Sequence, residues 1–400
     1  MKIVIAPDSF KGNLTAMEVA RAVERGVRRV LPRAVCVKVP VADGGEGTVQ
    51  SLVDATGGRF VRKRVRGPDG KKVTARYGLF PDGRTAVIEM AEASGLPLVS
   101  GRARNPLLTT SYGTGELIAN AMDRGARRII IGIGGSATND SGAGMAQALG
   151  VRFYDKYGRL IRSRAAGGML NRIVSIDVQD VHPELALTEF IVACDVDNPL
   201  CGPNGASRVY GPQKGATPGM VKMLDRNLRQ FGRLIHRQLG IDILNVKGAG
   251  AAGGLGGGLM AFCGARLKRG VRIIMEAVGL KEQLQGADLV ITGEGRVDFQ
   301  TAFGKAPAGV AREARAAGVP VIAVGGGLAQ DARGVFAHGI DGLESSIARD
   351  MSLKEALAGA HMHIADAAER ALRLIAVGSR IERSALGRRR VVQKKAGGRR

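Results

Sequence analysis

Short apolar runs that end in polar, glycine-rich loops and then re-enter amphipathic helices recur through this chain, and they leave few architectures open. The first run, residues 2–6, is followed by the loop Asp8-Ser9-Phe10-Lys11-Gly12. Thr15 stands three residues before Glu18, the spacing of a capping box, and Val19, Ala22, Val23 and Val27 give the ensuing helix one apolar face. The run Val35 to Val41 leads into Asp43-Gly44-Gly45-Glu46-Gly47-Thr48 and another helix. Strand, loop and helix twice in succession predict a doubly wound parallel α/β sheet.

The rhythm changes near residue 66. Residues 60–66, 71–78 and 85–90 read as strands separated by Gly67-Pro68-Asp69-Gly70 and Pro81-Asp82-Gly83, the turn chemistry of antiparallel hairpins. A helix over about 113–124, a strand from Arg128 to Ile133 and a glycine-rich loop into a helix follow. A strand ending at Ala193 then precedes a long amphipathic helix over 218–239. The opening rhythm returns in the strand from Asp288 to Ile291, a polar loop, a helix from about 305, the strand from Val319 to Val324 and a helix over 353–376. The expected organisation is one domain from residues 1–66 plus 285–377, a second inserted domain over 67–284, and a basic tail over 378–400. A cleft between such domains is the expected place for a substrate. The tail lacks an apolar period and is expected to be disordered.

Charge and composition narrow the function. The formal net charge of +23 includes nine Lys/Arg against one Glu from Arg380 to the end. The remaining basic surface suits a protein that handles anionic substrates. Tryptophan is absent and aromatics are 4%, so base-stacking surfaces are not indicated, and no nucleic-acid reader motif accompanies the charge. The four cysteines lack the paired spacing of a zinc site, and reduced thiols in a cytoplasmic protein are expected. No run has the length of a transmembrane helix, and the opening apolar run is too short for a signal peptide.

Polar clusters fall just after expected strands, where open α/β sheets bind ligands. Asp8, Ser9 and Lys11 could serve a hydroxyl and a phosphate, or form a surface turn. Asp43, Gly44 and Gly45, with Glu46, suit close ligand approach and Mg²⁺, or a turn favoured by the helix dipole. Two loops entering helices could cradle phosphate oxygens or merely cap them. One holds Ser111, Gly113 and Thr114, and the other Gly134, Gly135, Ser136, Thr138 and Asn139. The second matches neither a P-loop nor the dinucleotide fingerprint. Asp195 and Asp197, two apart, could bind metal or deprotonate a hydroxyl, with Asn198 beside them, or could form an Asx turn before Pro199. Lys214 is a candidate phosphate contact. The richest segment joins Thr292, Gly293, Glu294, Arg296, Asp298, Thr301 and Lys305, the residue types that phosphoryl transfer uses. The five histidines fall outside these loops, so histidine catalysis is disfavoured.

Together these segments resemble the bacterial glycerate kinases. The resemblance rests on Ile5 to Gly12, Pro40 to Thr48, Gly132 to Asp140, Ala193 to Gly202, Gly211 to Ala216 and Thr292 to Lys305, in order, across residues 1–376. It implies a flavodoxin-like domain formed by both chain ends with an inserted α/β domain. It also implies ATP- and Mg²⁺-dependent phosphorylation of D-glycerate, to 2-phosphoglycerate or 3-phosphoglycerate. On that reading Asp195 orients the hydroxyl, and Asp43, Glu294 or Asp298 holds Mg²⁺. Lys11, Lys214, Arg296 and Lys305 share the anionic charge. Phe299 and Ser141 stand where the family leads one to expect glycine. A kinase of another hydroxy acid or sugar acid is the enzymatic alternative, and a metabolite-sensing or nucleic-acid-binding protein is the alternative of another class. A monomer and a homodimer are both open.

Overall fold

The computed structural model describes residues 1–42, 47–101, 104–302 and 305–397, with the side chains of 302 and of 382–397 left aside. Its strands, in chain order, are β1 (Lys2–Ile5), β2 (Val35–Lys38), β3 (Arg59–Arg66), β4 (Lys72–Leu79), β5 (Thr85–Glu89), β6 (Arg128–Gly132), β7 (Arg152–Tyr154), β8 (Ser175–Asp177), β9 (Glu189–Ala193), β10 (Arg266–Lys268), β11 (Leu289–Val297), β12 (Val321–Leu328) and β13 (Gly342–Ser345). The chain divides into a terminal unit, residues 1–41 with 279–400, and an inserted unit, residues 42–278.

The terminal unit holds a five-stranded sheet in the order β13-β12-β11-β1-β2. Every pairing in it is parallel. Read from the β2 edge this is the flavodoxin-like order, with the first strand between the second and third. β1 reads as a continuous apolar run because it is central, and Ile3, Val4 and Ile5 are fully buried. The helix Ala16–Val30 starts at the expected capping box. The Thr15 Oγ1 accepts from the Glu18 N–H at 3.3 Å, and the Glu18 carboxylate accepts from the Thr15 N–H at 2.8 Å. That helix packs against the helix Ala360–Gly397 through small residues. A Cβ at Gly26 would lie 2.1 Å from the Ala365 carbonyl oxygen, so only glycine permits this approach.

The inserted unit holds a six-stranded mixed sheet, β10-β9-β6-β5-β4-β3, and the two-stranded β7–β8 pair. β3, β4 and β5 are antiparallel neighbours, as the turn sequences predicted, while β5, β6, β9 and β10 run parallel. Phe153 anchors the core, edge-on to Phe231 and Phe262 at 5.8 and 6.2 Å between centroids.

Three sequence expectations are corrected here. The boundary expected at residue 66 falls at 41, because β3 pairs with β4 along its full eight residues and therefore belongs to the inserted sheet. Residues 279–284, expected in the inserted domain, group with the terminal unit. The tail expected to be disordered from 378 continues the last helix to Gly397. Its Arg, Ala, Leu, Gln and Lys residues are good helix formers with no proline among them. No described helix is long and apolar enough to cross a membrane.

Candidate active site

β1 and β11 are parallel neighbours, so the loops that follow them leave the same edge of the sheet. Backbone pairing continues past β1, where the Asp8 N–H donates to the Gly293 carbonyl at 2.8 Å. The buried Thr292 donates its hydroxyl to the Ala6 carbonyl at 2.8 Å, which straps the two loops together. Gly293 is required by packing, since a Cβ there would lie 2.2 Å from the Val324 carbonyl oxygen of β12. The Asp8 carboxylate is buried and accepts from the Ser9 N–H at 2.6 Å.

These loops open a cavity of about 660 Å³ within the terminal unit, and Asp8, Ser9, Lys11, Glu294, Arg296, Asp298 and Lys305 line it. Glu294 is only 7% exposed. Its Oε1 accepts the Thr301 hydroxyl at 2.5 Å, and its Oε2 stands 3.4 Å from Lys305 Nζ. Asp298 Oδ1 lies 3.5 Å from the same ammonium. Asp298 also accepts from the Gln300 N–H at 2.9 Å, and its own N–H donates to Thr301 Oγ1 at 3.0 Å. Burial pushes the Glu294 carboxyl up; the Thr301 hydroxyl and the Lys305 charge oppose that. Apolar residues wall the same cavity: Ile347, Met351, Leu353 and Leu357. Sequence reasoning missed that wall. Its only signal is a cluster of apolar residues after β13 that no core requires, Leu353 being 74% exposed. Phe299, at the start of the short helix Phe299–Ala302, is also largely exposed.

The inserted unit gathers a second set of expected residues, but in its interior. Ser111, Thr114, Ser136, Thr138, Asn139 and Lys214 are buried. Their organiser is Asp140, which stood within a noted motif without being singled out. Its Oδ2 accepts from the Ser111 N–H and hydroxyl, both at 2.8 Å, and its Oδ1 accepts from the Gly142 N–H at 3.2 Å. Thr114 shares a 2.8 Å hydrogen bond with Ser94, and Asn139 donates to Ser207 Oγ at 3.0 Å. Gly113 is a packing glycine, with room for no Cβ against the Arg66 carbonyl at 1.8 Å.

Lys214, expected to reach a phosphate, is 1% exposed. It donates instead to Ser136 Oγ at 2.7 Å and to the Thr138 carbonyl at 2.6 Å. Burial brings its ammonium down to about 7, against the pull of Asp140. It pins the glycine-rich loop from within. Gly134 and Gly135 stay exposed at the loop's surface.

Asp195 is exposed after β9, with Oδ1 accepting the Gly270 N–H at 3.1 Å. The Asn198 side chain is engaged on both ends, donating to the Asn204 carbonyl at 2.9 Å and accepting from the Tyr210 hydroxyl at 2.6 Å. Asp43, Gly44 and Gly45 lie outside the described residues. Among the described residues no three His, Cys, Asp or Glu side chains gather to hold a metal. Glu294 and Asp298 are the carboxylate pair that converges on one cation, the Lys305 ammonium.

Comparison with known proteins completes the picture. The chain is 53% identical over 384 residues to the glycerate kinase of Bacillus subtilis (strain 168), covering 96% of this chain and 99% of that protein. It is 51% identical over 380 residues to the glycerate 2-kinase of Escherichia coli (strain K12), covering 95% and 99%. A crystal structure from Salmonella typhimurium LT2, of a protein described as a glycerate kinase 2, superposes with a TM-score of 0.88 at 50% identity, over 95% of this chain and 99% of that one. The sequence profile of the Glycerate kinase family matches residues 3–376, which takes in every loop described above. Its sheet order, its strand-end loops and this match say together that the chain belongs to the glycerate kinase family.

Proposed function

We propose that the protein is an ATP-dependent glycerate kinase of the cytoplasm that phosphorylates D-glycerate, with 2-phosphoglycerate as product. The observation that carries this reading is one cavity where Lys11, Arg296 and Lys305 meet Asp8, Glu294 and Asp298 at the strand ends of β1 and β11. Phosphoryl transfer asks the protein mainly for positioning and charge stabilisation, and this is a set of residues for both. The name of the Escherichia coli relative, a glycerate 2-kinase, supports the choice of hydroxyl.

The three cations share the charge of the phosphate oxygens and of the glycerate carboxylate. Glu294 and Asp298 already converge on a cation and offer hard oxygen donors of the kind that suit Mg²⁺. When bound, the ion withdraws charge from the transferring phosphate. Thr301 aims the Glu294 carboxylate through its 2.5 Å hydrogen bond and opposes the upward push of burial. Asp195 is the candidate to take the hydroxyl proton.

A substrate panel tests the assignment. ADP release is measured with D-glycerate, L-glycerate, lactate and gluconate. The expected kcat/KM for D-glycerate exceeds the others by at least about tenfold, the discrimination that a site built around specific hydroxyl contacts supplies. An equal or higher value on another acid would make this a kinase of that acid.

A further inference from the structure

A second cavity, of about 340 Å³, lies wholly within the inserted unit, and none of its lining residues borders the cavity of the terminal unit. The buried Val151, Phe153 and Ile161 lie beneath it. Three guanidinium groups border it, from Arg152, Arg162 and Arg164, and no Asp or Glu lines it. Arg152 is paired with Asp180 at 2.5 Å. Arg162 has no acidic partner among the described residues, and the Arg164 guanidinium is stacked over the Tyr112 ring at 5.6 Å.

The backbone that carries these arginines is held in place by a side chain. Gln147 donates to the carbonyls of Ile161 and Ser163, both at 3.2 Å, and accepts from the Ala165 N–H at 2.6 Å. Arg162 and Arg164 are two apart in this non-helical segment, and both reach the cavity. Like charges held toward one space repel unless an anion lies between them. A guanidinium fork matches phosphate oxygens in pairs.

We propose that this cavity is a binding site for a small phosphate-bearing molecule, with Arg162 and Arg164 on the phosphoryl group. The site does not depend on the kinase reading. It gives the protein a means to sense phosphorylated metabolites.

Calorimetric titration of the full chain with inorganic phosphate and with glycerol 3-phosphate tests it. The Lys305→Met variant isolates this site from the terminal-unit cavity and is expected to keep one binding event. Arg162→Gln with Arg164→Gln in that background is expected to weaken it by at least about tenfold, and Arg164→Lys, which keeps the charge and loses the fork, by less. Tighter binding of glycerol 3-phosphate than of inorganic phosphate identifies an ester as the ligand, and equal binding identifies the free ion. Unchanged affinity and stoichiometry in the double arginine variant would overturn the proposal. All three arginine variants change exposed side chains, and circular dichroism checks that the fold is kept. Arg162→Gln alone, at a residue without an acidic partner, repeats the test should the double variant fail to fold.

Discussion

Ser141 is where a departure noticed in the sequence acquires a physical meaning. Its backbone sits at φ +51°, in the left-handed region, and its buried hydroxyl finds no hydrogen-bond partner among the described residues. Both features cost stability, and glycine removes both. Ser141→Gly is therefore expected to raise the unfolding free energy by about 1 kcal/mol after the loss of chain entropy is allowed for, read as a higher urea midpoint. An unchanged or lower midpoint would count against it. Phe299, the other departure, meets no such constraint; it is exposed at a helix start. Thr301 makes the second residue-scale case. Thr301→Val deletes the hydroxyl that donates to Glu294, so burial raises that carboxyl further. The acidic limb of the kcat/KM profile is expected to move to higher pH, with a loss of about tenfold at neutral pH, and Thr301→Ser should restore it. A profile that scales down without shifting would separate Thr301 from Glu294.

Elements were legible in the sequence to different depths. The strands and their polar loops could be read because parallel strands buried on both faces are short apolar runs, and residues 288–291 and 319–324 show this as plainly as β1 does. The position of β3 was misread because Arg59–Arg66 buries only Val61 and Val65, a pattern that fits the edge of either sheet; only its pairing with β4 decides. Lys214 was misread for another reason. After a Gly-Pro turn it reads as a candidate phosphate contact, and nothing local reveals that it threads inward to Ser136 and Thr138. Its burial leaves a thermodynamic trace. Unfolded, Lys214 keeps its proton to near its ordinary value of 10.5; folded, only to about 7. Between those values the unfolded chain binds the additional proton, so this residue makes stability rise with pH, by about 1.4 kcal/mol per unit. The cost of burying the charge is fully present below pH 7 and is relieved above it. Urea unfolding of Lys214→Met beside the parent protein from pH 7 to 9 should lack this contribution. Parallel curves would contradict it.

For the whole molecule, two facts pull in different directions. The family match stops at residue 376, while the last helix continues to Gly397. The cavity of the terminal unit takes no lining residue beyond Ala360. Removal of residues 378–400 is accordingly expected to leave kcat and KM for glycerate within about twofold, and to reduce retention on heparin because nine basic residues leave with it. A large loss of kcat would assign the tail a part in turnover. The separation of charge from chemistry was visible in the sequence, since the basic run and the strand-end loops do not overlap. Glycerate itself was not legible from charge, spacing or turn chemistry, which reach only to phosphoryl transfer. It enters through family membership, and the proposed choice between its two hydroxyls through the name of the Escherichia coli relative. The most direct measurement is therefore phosphorus NMR of the products formed from ATP, Mg²⁺ and D-glycerate, with ADP release followed in parallel. The expected result is a new phosphomonoester resonance of 2-phosphoglycerate, equal in amount to the ADP and abolished by chelation of the metal. ADP release without a phosphoglycerate signal, or a 3-phosphoglycerate resonance alone, would contradict the account.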